Sequence, residues 1–187
     1  MFISFAIPFY NKASFVSSCL ESIATLCEHN RIKWEAVITD NCSSSEETLR
    51  LKEILHELGV QDKCKIYTLA ATISAHENWL YAITLCSGDV INLRMADDPI
   101  LNFDLKSLCE AFYDTRIDYV STNSRPTFDP DTEISSLSKD IIKYYDNAQA
   151  FKEAFSKNCS HSFIKLLDGD NPFGDINSLF FRRKCVE

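Results

Sequence analysis

The stretch "DVINLRMADDPI", residues 89–100, runs from an apolar segment into two adjacent carboxylates, Asp97 and Asp98, followed by a proline. Side by side the two charges repel, so a partner must favour the arrangement. One such partner is a hard divalent cation. Mg2+ and ions like it use one or two carboxylates and fill their remaining positions with phosphate oxygens and water. The other partner is the backbone itself, because Asp caps helices and readily precedes proline in turns. Two more polar sets occupy comparable places: Tyr10 and Asn11 after the apolar run Ile3–Phe9, and Asp40 and Asn41 after Trp34–Thr39.

What brings three separate stretches together must be the elements between them. Apolar residues at Phe15, Cys19, Leu20, Ile23 and Leu26 recur at helical spacing from Ser14 to about Cys27. A second helix shows Leu51, Ile54, Leu55 and Leu58 on one side and stops near Gly59; Ser43 with Glu46, or Ser44 with Glu47, has capping-box spacing at its start. Lys65–Ala70 reads as a third strand. Ser74 and Glu77 open a third helix, lined by Ala75, Trp79, Ala82, Ile83 and Cys86, which ends at Gly88. Val90–Leu93 is the fourth strand. Three strand–helix units feeding a fourth strand predict an α/β fold with a mostly parallel sheet and right-handed crossovers. Ligands of such sheets bind beyond the carboxyl ends of the strands, where all three polar sets lie. After Asp98 the alternation loosens. A helix through Leu105, Leu108, Cys109 and Phe112, a strand at Tyr119–Thr122, a loop over 123–139, a helix near Ala148, Phe151 and Phe155, and a last strand at Ser178–Phe181 complete the reading.

Composition narrows the function. The 187 residues suit one domain, and 45% hydrophobic with 25% charged residues is ordinary for a globular chain. A net charge of −8 argues against nucleic acid or an anionic membrane surface as the main partner; Arg182-Arg183-Lys184 is only a local basic spot. No signal peptide is expected at the N-terminus, and no apolar run approaches the ~20 residues of a transmembrane segment. Eight cysteines without a C-x-x-C pair read as free, mostly buried thiols. The sequence has neither G-x-G-x-x-G nor G-K-[ST], and only four glycines. A diphosphate could not be wrapped by glycine-rich backbone, so a bound cation would have to offset its charge.

These residues carry a resemblance. "IPFYNKASFVSSCLESI" is similar to the opening of family 2 glycosyltransferases, which have the GT-A fold, a Rossmann-like nucleotide-diphospho-sugar transferase architecture. "VITDNCSSSEET" resembles their second-strand motif, "ENWLYAITLCSGDVINLRMADD" the run that leads to their metal motif, and "NPFGDINSLFFRR" the acceptor-side strand beyond it. The four motifs occur in the family's order over nearly the whole chain. The resemblance implies a donor-binding half over residues 1–98 and an incomplete acceptor-side half over 99–187 of the same domain. Pro8, Tyr10 and Asn11 would line the nucleotide pocket, Asp40 would accept a hydrogen bond from the base, commonly uracil, and Asn78 would face the diphosphate-sugar. Asp97 and Asp98 would bind Mn2+ or Mg2+.

The implied activity is inverting transfer of a sugar from a nucleotide-sugar donor, most readily a UDP-sugar, to a hydroxyl of a glycan or lipid-linked acceptor. The implied setting is polysaccharide biosynthesis in the cytoplasm, or at the periphery of the inner membrane. Two departures stand out. Met95 occupies the place where many members carry the first aspartate of their metal motif. The family's general base lies beyond the Phe-Arg-Arg strand, near which this sequence ends; Asp175, with Asp168 and Asp170 nearby, is the candidate within it. The alternatives are a nucleotide-binding remnant without chemistry and a nucleotidyltransferase, though the latter's glycine-rich, basic loop is absent after the first strand.

Overall fold

The computed structural model describes residues 1–101, 103–121 and 179–186. The expected loop over 123–139 and the helix near Phe151 fall outside them. In chain order the elements are β1 (Phe2–Phe9), α1 (Ala13–His29), β2 (Lys33–Asp40), α2 (Ser45–Glu57), β3 (Cys64–Thr68), α3 (Ala75–Thr84), β4 (Val90–Leu93), α4 (Leu105–Ala111), β5 (Tyr119–Ser121) and β6 (Leu179–Arg182). They build one six-stranded sheet in the order β3-β2-β1-β4-β6-β5. The first four strands run parallel; β6 pairs antiparallel with β4, and β5 antiparallel with β6.

The strands bury both faces, as sheets with parallel crossovers must. On β1, Ile3, Phe5, Ile7 and Phe9 point into the larger core beneath α1, α2 and α4, while Ala6 joins Val37, Ile91, Leu93 and Phe181 under α3. Phe5 packs edge-on against Trp34 and Phe180, both at 6.4 Å between ring centres. That contact fastens β6 to the middle of the parallel sheet. Arg182 fastens its far end: Nε donates to the carbonyl of Ile117 at 2.7 Å, Nη2 donates to those of Phe112 and Asp114, and the guanidinium lies over the Phe112 ring. The basic spot read from the sequence therefore supplies, at Arg182, a structural clamp.

At the amino-terminal edge of the sheet sits one buried charge. Glu35 on β2 lies beside Ser4 on β1 and accepts hydrogen bonds from Ser4 Oγ (2.7 Å), Ser87 N and Oγ (each 2.7 Å) and Lys65 Nζ (2.8 Å). Burial alone would raise its pKa, but the hydrogen bonds from Lys65, Ser4 and Ser87 outweigh it and bring the carboxyl from 4.5 down to about 2. Gly88 closes against this cluster, where a Cβ would meet Ser4 N and Oγ at 2.7 Å. The network anchors the α3–β4 connection and so fixes how β4 enters the sheet.

Because the folded-state pKa is depressed, the stabilisation is present above the unfolded value near 4.5 and is lost as pH falls towards 2. We predict that Glu35→Gln lowers the unfolding free energy by about 1–3 kcal/mol at neutral pH and that its deficit against the wild type shrinks across that window. Urea titrations at several pH values check this; a deficit that stays constant down to pH 2 contradicts it.

Candidate functional site

Three loops leave the carboxyl ends of β1, β2 and β4 on one rim, and a cleft of about 440 Å³ opens between them and α3. Its size falls in the range of small-ligand sites. Pro8, Phe9, Tyr10 and Lys12 line it from the β1 end. Asn41, Thr72 and Ile73 line it from the β2 and β3 loops, Ala75, Asn78 and Trp79 from α3, and Met95, Ala96 and Asp97 from the β4 end. Among the described residues that line it, the charged ones are Lys12 and Asp97, both at the β1–β4 side. The opposite end is apolar and amide-bearing.

Of the residues expected to bind the donor, Pro8, Tyr10, Asn78 and Asp97 are brought together along this cleft. Tyr10 is half exposed on its rim. Asn78, in the first turn of α3, is buried; its Nδ2 donates to the carbonyl of Thr39 at 3.2 Å, and its own carbonyl accepts from Thr39 Oγ1 at 3.4 Å. Its side-chain Oδ1 has no hydrogen-bond partner among the described residues. A buried acceptor left unpaired is unfavourable. The N-terminus of α3 does not invite an anion. Ser74 and Glu77 close it as a reciprocal capping box, which satisfies its first donors and places a carboxylate there.

Asn11 and Asp40 are hydrogen-bonded to the neighbouring loop. Asp40 is fully buried: Oδ1 accepts from Ser43 N (3.0 Å), Oδ2 from Thr48 Oγ1 (2.8 Å) and Thr68 Oγ1 (3.5 Å). Asn11, at a positive φ of 49°, accepts from Ser44 N at 3.0 Å while its own N–H donates to Ser43 Oγ at 3.0 Å. Glu47 does not complete a reciprocal box at its own helix start. Its carboxylate instead accepts from Ala13 N, the first amide of α1, at 2.8 Å. Together these bonds lock the β1 and β2 loops into one unit. Asn41, unassigned from the sequence beyond its place at a strand end, extends that unit by pairing its amide with both backbone groups of Ile73, at 2.9 and 2.8 Å.

The acidic pair sits in a turn closed by Asp98 N donating to the carbonyl of Met95 at 3.1 Å. Both carboxylates are exposed, and Lys12 Nζ donates to Asp97 Oδ2 across the gap between β1 and β4. Sequence reasoning missed Lys12; its only signal was a cation directly after Pro-x-Tyr-Asn. Among the described residues no group of three or more His, Cys, Asp or Glu is arranged to hold a metal ion. Two adjacent carboxylates are a donor set that a hard cation sharing its ligands with phosphate could use. The ammonium already lying on Asp97 marks a place that favours positive charge. Asp175, Asp168 and Asp170 lie outside the described residues. The seven described cysteines are free thiols, and Cys42, on the β2 loop, is the exposed one.

The sequence pattern of Glycosyl transferase family 2 matches residues 4–183. Among solved structures the chain is similar to the mannosyltransferase PcManGT from Pyrobaculum calidifontis in complex with GDP-Man and Mn2+, with a TM-score of 0.56 and 17% identity. It is also similar to residues 1–349 of S. aureus TarS in complex with UDP, at 0.52 and 20%, and in complex with UDP-GlcNAc, at 0.50 and 21%. The matches cover 66%, 69% and 68% of this chain but only 35%, 38% and 37% of those chains. At such identities the likeness establishes the fold. No curated protein matches the chain.

We predict that Asn11→Ala, which loses the loop clamp and places a Cβ-bearing residue with no compensating bond at positive φ, destabilises the protein by about 1–3 kcal/mol. Asn11→Gly should recover part of this by relieving φ. Thermal unfolding of the two variants checks the ranking, and equal losses would contradict a contribution from backbone strain.

Proposed function

The chain belongs to glycosyl transferase family 2, and on that premise we propose that its cleft binds a nucleotide-diphospho-sugar and transfers the sugar to an acceptor hydroxyl. The observation that carries this reading is the division of the cleft, with Lys12 and Asp97 at one end and an uncharged, amide-lined end at the other. A nucleotide diphosphate has the same division, with its charge at one end and a flat, hydrogen-bonding base at the other. In this reading Tyr10 and Pro8 flank the nucleoside, and Asn78 Oδ1 accepts a hydrogen bond from it or from the sugar. Asn11 and Asp40, enclosed by their own hydrogen bonds, hold the loops that shape the pocket.

Asp97, with Asp98 beside it, would hold Mn2+ or Mg2+, which supplies charge neutralisation for the departing nucleotide diphosphate. Such stabilisation acts where charge develops and raises the rate rather than only the affinity. Asp175 is the proposed base that takes the acceptor proton in an inverting transfer. A UDP-sugar is the favoured donor, since structures similar in fold carry UDP or UDP-GlcNAc, with a GDP-sugar as the competing choice because another carries GDP-Man with Mn2+. A glycan or lipid-linked acceptor in polysaccharide assembly, in the cytoplasm or at the inner membrane face, completes the proposal. No helix among the described residues is long and apolar enough to cross a membrane. Met95 keeps one alternative open: with no hard ligand at that place, the cleft would bind nucleotide without turning it over.

Calorimetric titration of UDP and GDP with and without Mn2+, followed by assays of hydrolysis and transfer from the matching sugars, tests this. We predict Mn2+-dependent binding of one nucleotide and turnover of its sugar. Binding without turnover would favour the non-catalytic alternative, and absence of binding would overturn the reading. Asp97→Asn is expected to weaken Mn2+-dependent binding about tenfold or more and to reduce transfer further. Asp98→Asn should have the smaller effect, because Asp97 rather than Asp98 lines the cleft.

A further inference from the structure

We propose that Lys12 is a phosphate ligand of the donor, parked on Asp97 while the cleft is empty and released to the diphosphate as Asp97 takes up the divalent cation. The inference rests on the donor reading above and adds a residue and a coupling to it.

Lys12 and Asp97 are 85 positions apart in sequence, yet Nζ of one donates to Oδ2 of the other across the opening between β1 and β4. Both side chains are partly exposed, at 43% and 39%. Solvent-screened pairs of this kind are weakly held and exchange readily. The backbone beneath the ammonium, by contrast, is fixed. The Lys12 carbonyl accepts from Phe15 N (3.0 Å) and Val16 N (3.1 Å) at the entrance to α1, and its neighbour Asn11 is bonded to Ser43 and Ser44. The ammonium also lies 5.5 Å from the centre of the Phe15 ring, which steadies its charged head without satisfying it. A rigid base with an exchangeable tip is what a ligand-capturing lysine needs.

The consequence is linkage. In the empty cleft Asp97 already carries a cation, so a metal ion arriving alone must displace Lys12 and sit beside it. A diphosphate arriving alone must draw Lys12 away and face Asp97. When both arrive, the diphosphate takes the ammonium, Asp97 takes the metal, and neither charge is left opposed. Each ligand should therefore tighten the other by the same factor.

The test compares wild type, Lys12→Met and Lys12→Arg, using Mn2+ titrations followed by electron paramagnetic resonance and calorimetry with pyrophosphate, UDP and GDP. Lys12→Met should bind Mn2+ alone several-fold more tightly than wild type, and bind pyrophosphate alone about tenfold more weakly. The mutual tightening of Mn2+ and pyrophosphate should shrink accordingly. Lys12→Arg should keep most of the coupling, and circular dichroism should show all three proteins equally folded, since the side chain is partly exposed. Unchanged pyrophosphate affinity or unchanged Mn2+ affinity in Lys12→Met overturns the proposal, as does a wild type that binds no pyrophosphate. Lys12-dependent pyrophosphate binding without binding of UDP or GDP would keep Lys12 as a phosphate ligand coupled to Asp97 and remove the nucleotide-sugar reading.

Discussion

The architecture of the site follows from one constraint, the parallel pairing of β1 with β2 on one side and β4 on the other. The chain leaves β1 through α1 towards β2, and it reaches β4 from β3 through α3, on the opposite face of the sheet. Among the described residues no crossover covers the carboxyl ends of the two central strands. The loops that follow them must diverge, and the space they leave is the cleft. Those two loops, the loops after β2 and β3 and the first turns of α3 carry the side chains that line it.

Those side chains separate charge. The first turn of α3 closes on itself through Ser74 and Glu77, and Asp40 is consumed by Ser43, Thr48 and Thr68. Neither Glu77 nor Asp40 is among the residues that line the cleft. What remains charged along the described lining is Lys12 facing Asp97, beside the end of the central strands. At the far end Asn78 offers one buried acceptor with no partner of its own among the described residues. The polar groups at this rim thus fall into two sets, those bonded to each other to shape the loops and the Lys12–Asp97 pair and Asn78 along the cleft.

Much of this was legible in the sequence. Alternating apolar strands and helices with 3.6-residue periodicity gave the parallel half, and Val90–Leu93 was placed to the residue. Ser74 with Glu77 was readable as a cap because both halves of the box are local. Less visible was what depends on contacts distant in sequence. β6 was expected as a strand, but its antiparallel place between β4 and β5 depends on Phe180 meeting Phe5 and Arg182 meeting three carbonyls. The same limit applied at the site. Strand-end position and family likeness gathered Tyr10, Asn11, Asp40 and Asp97 into one set, and no spacing rule could say that Asn11 and Asp40 turn to the neighbouring loop while Lys12 reaches Asp97. Glu47 shows why, since its capping spacing was right but its carboxylate serves α1 instead of α2.

The cation place at Asp97 is proposed to pass from Lys12 to a metal ion when an anionic donor arrives. The most direct measurement is a crystal structure of the protein grown with Mn2+ and a nucleoside diphosphate, with anomalous diffraction locating the manganese. We predict a manganese peak beside Asp97 and Lys12 Nζ on a phosphate oxygen. A nucleotide seated in the cleft with Lys12 still on Asp97 and no manganese there would contradict it.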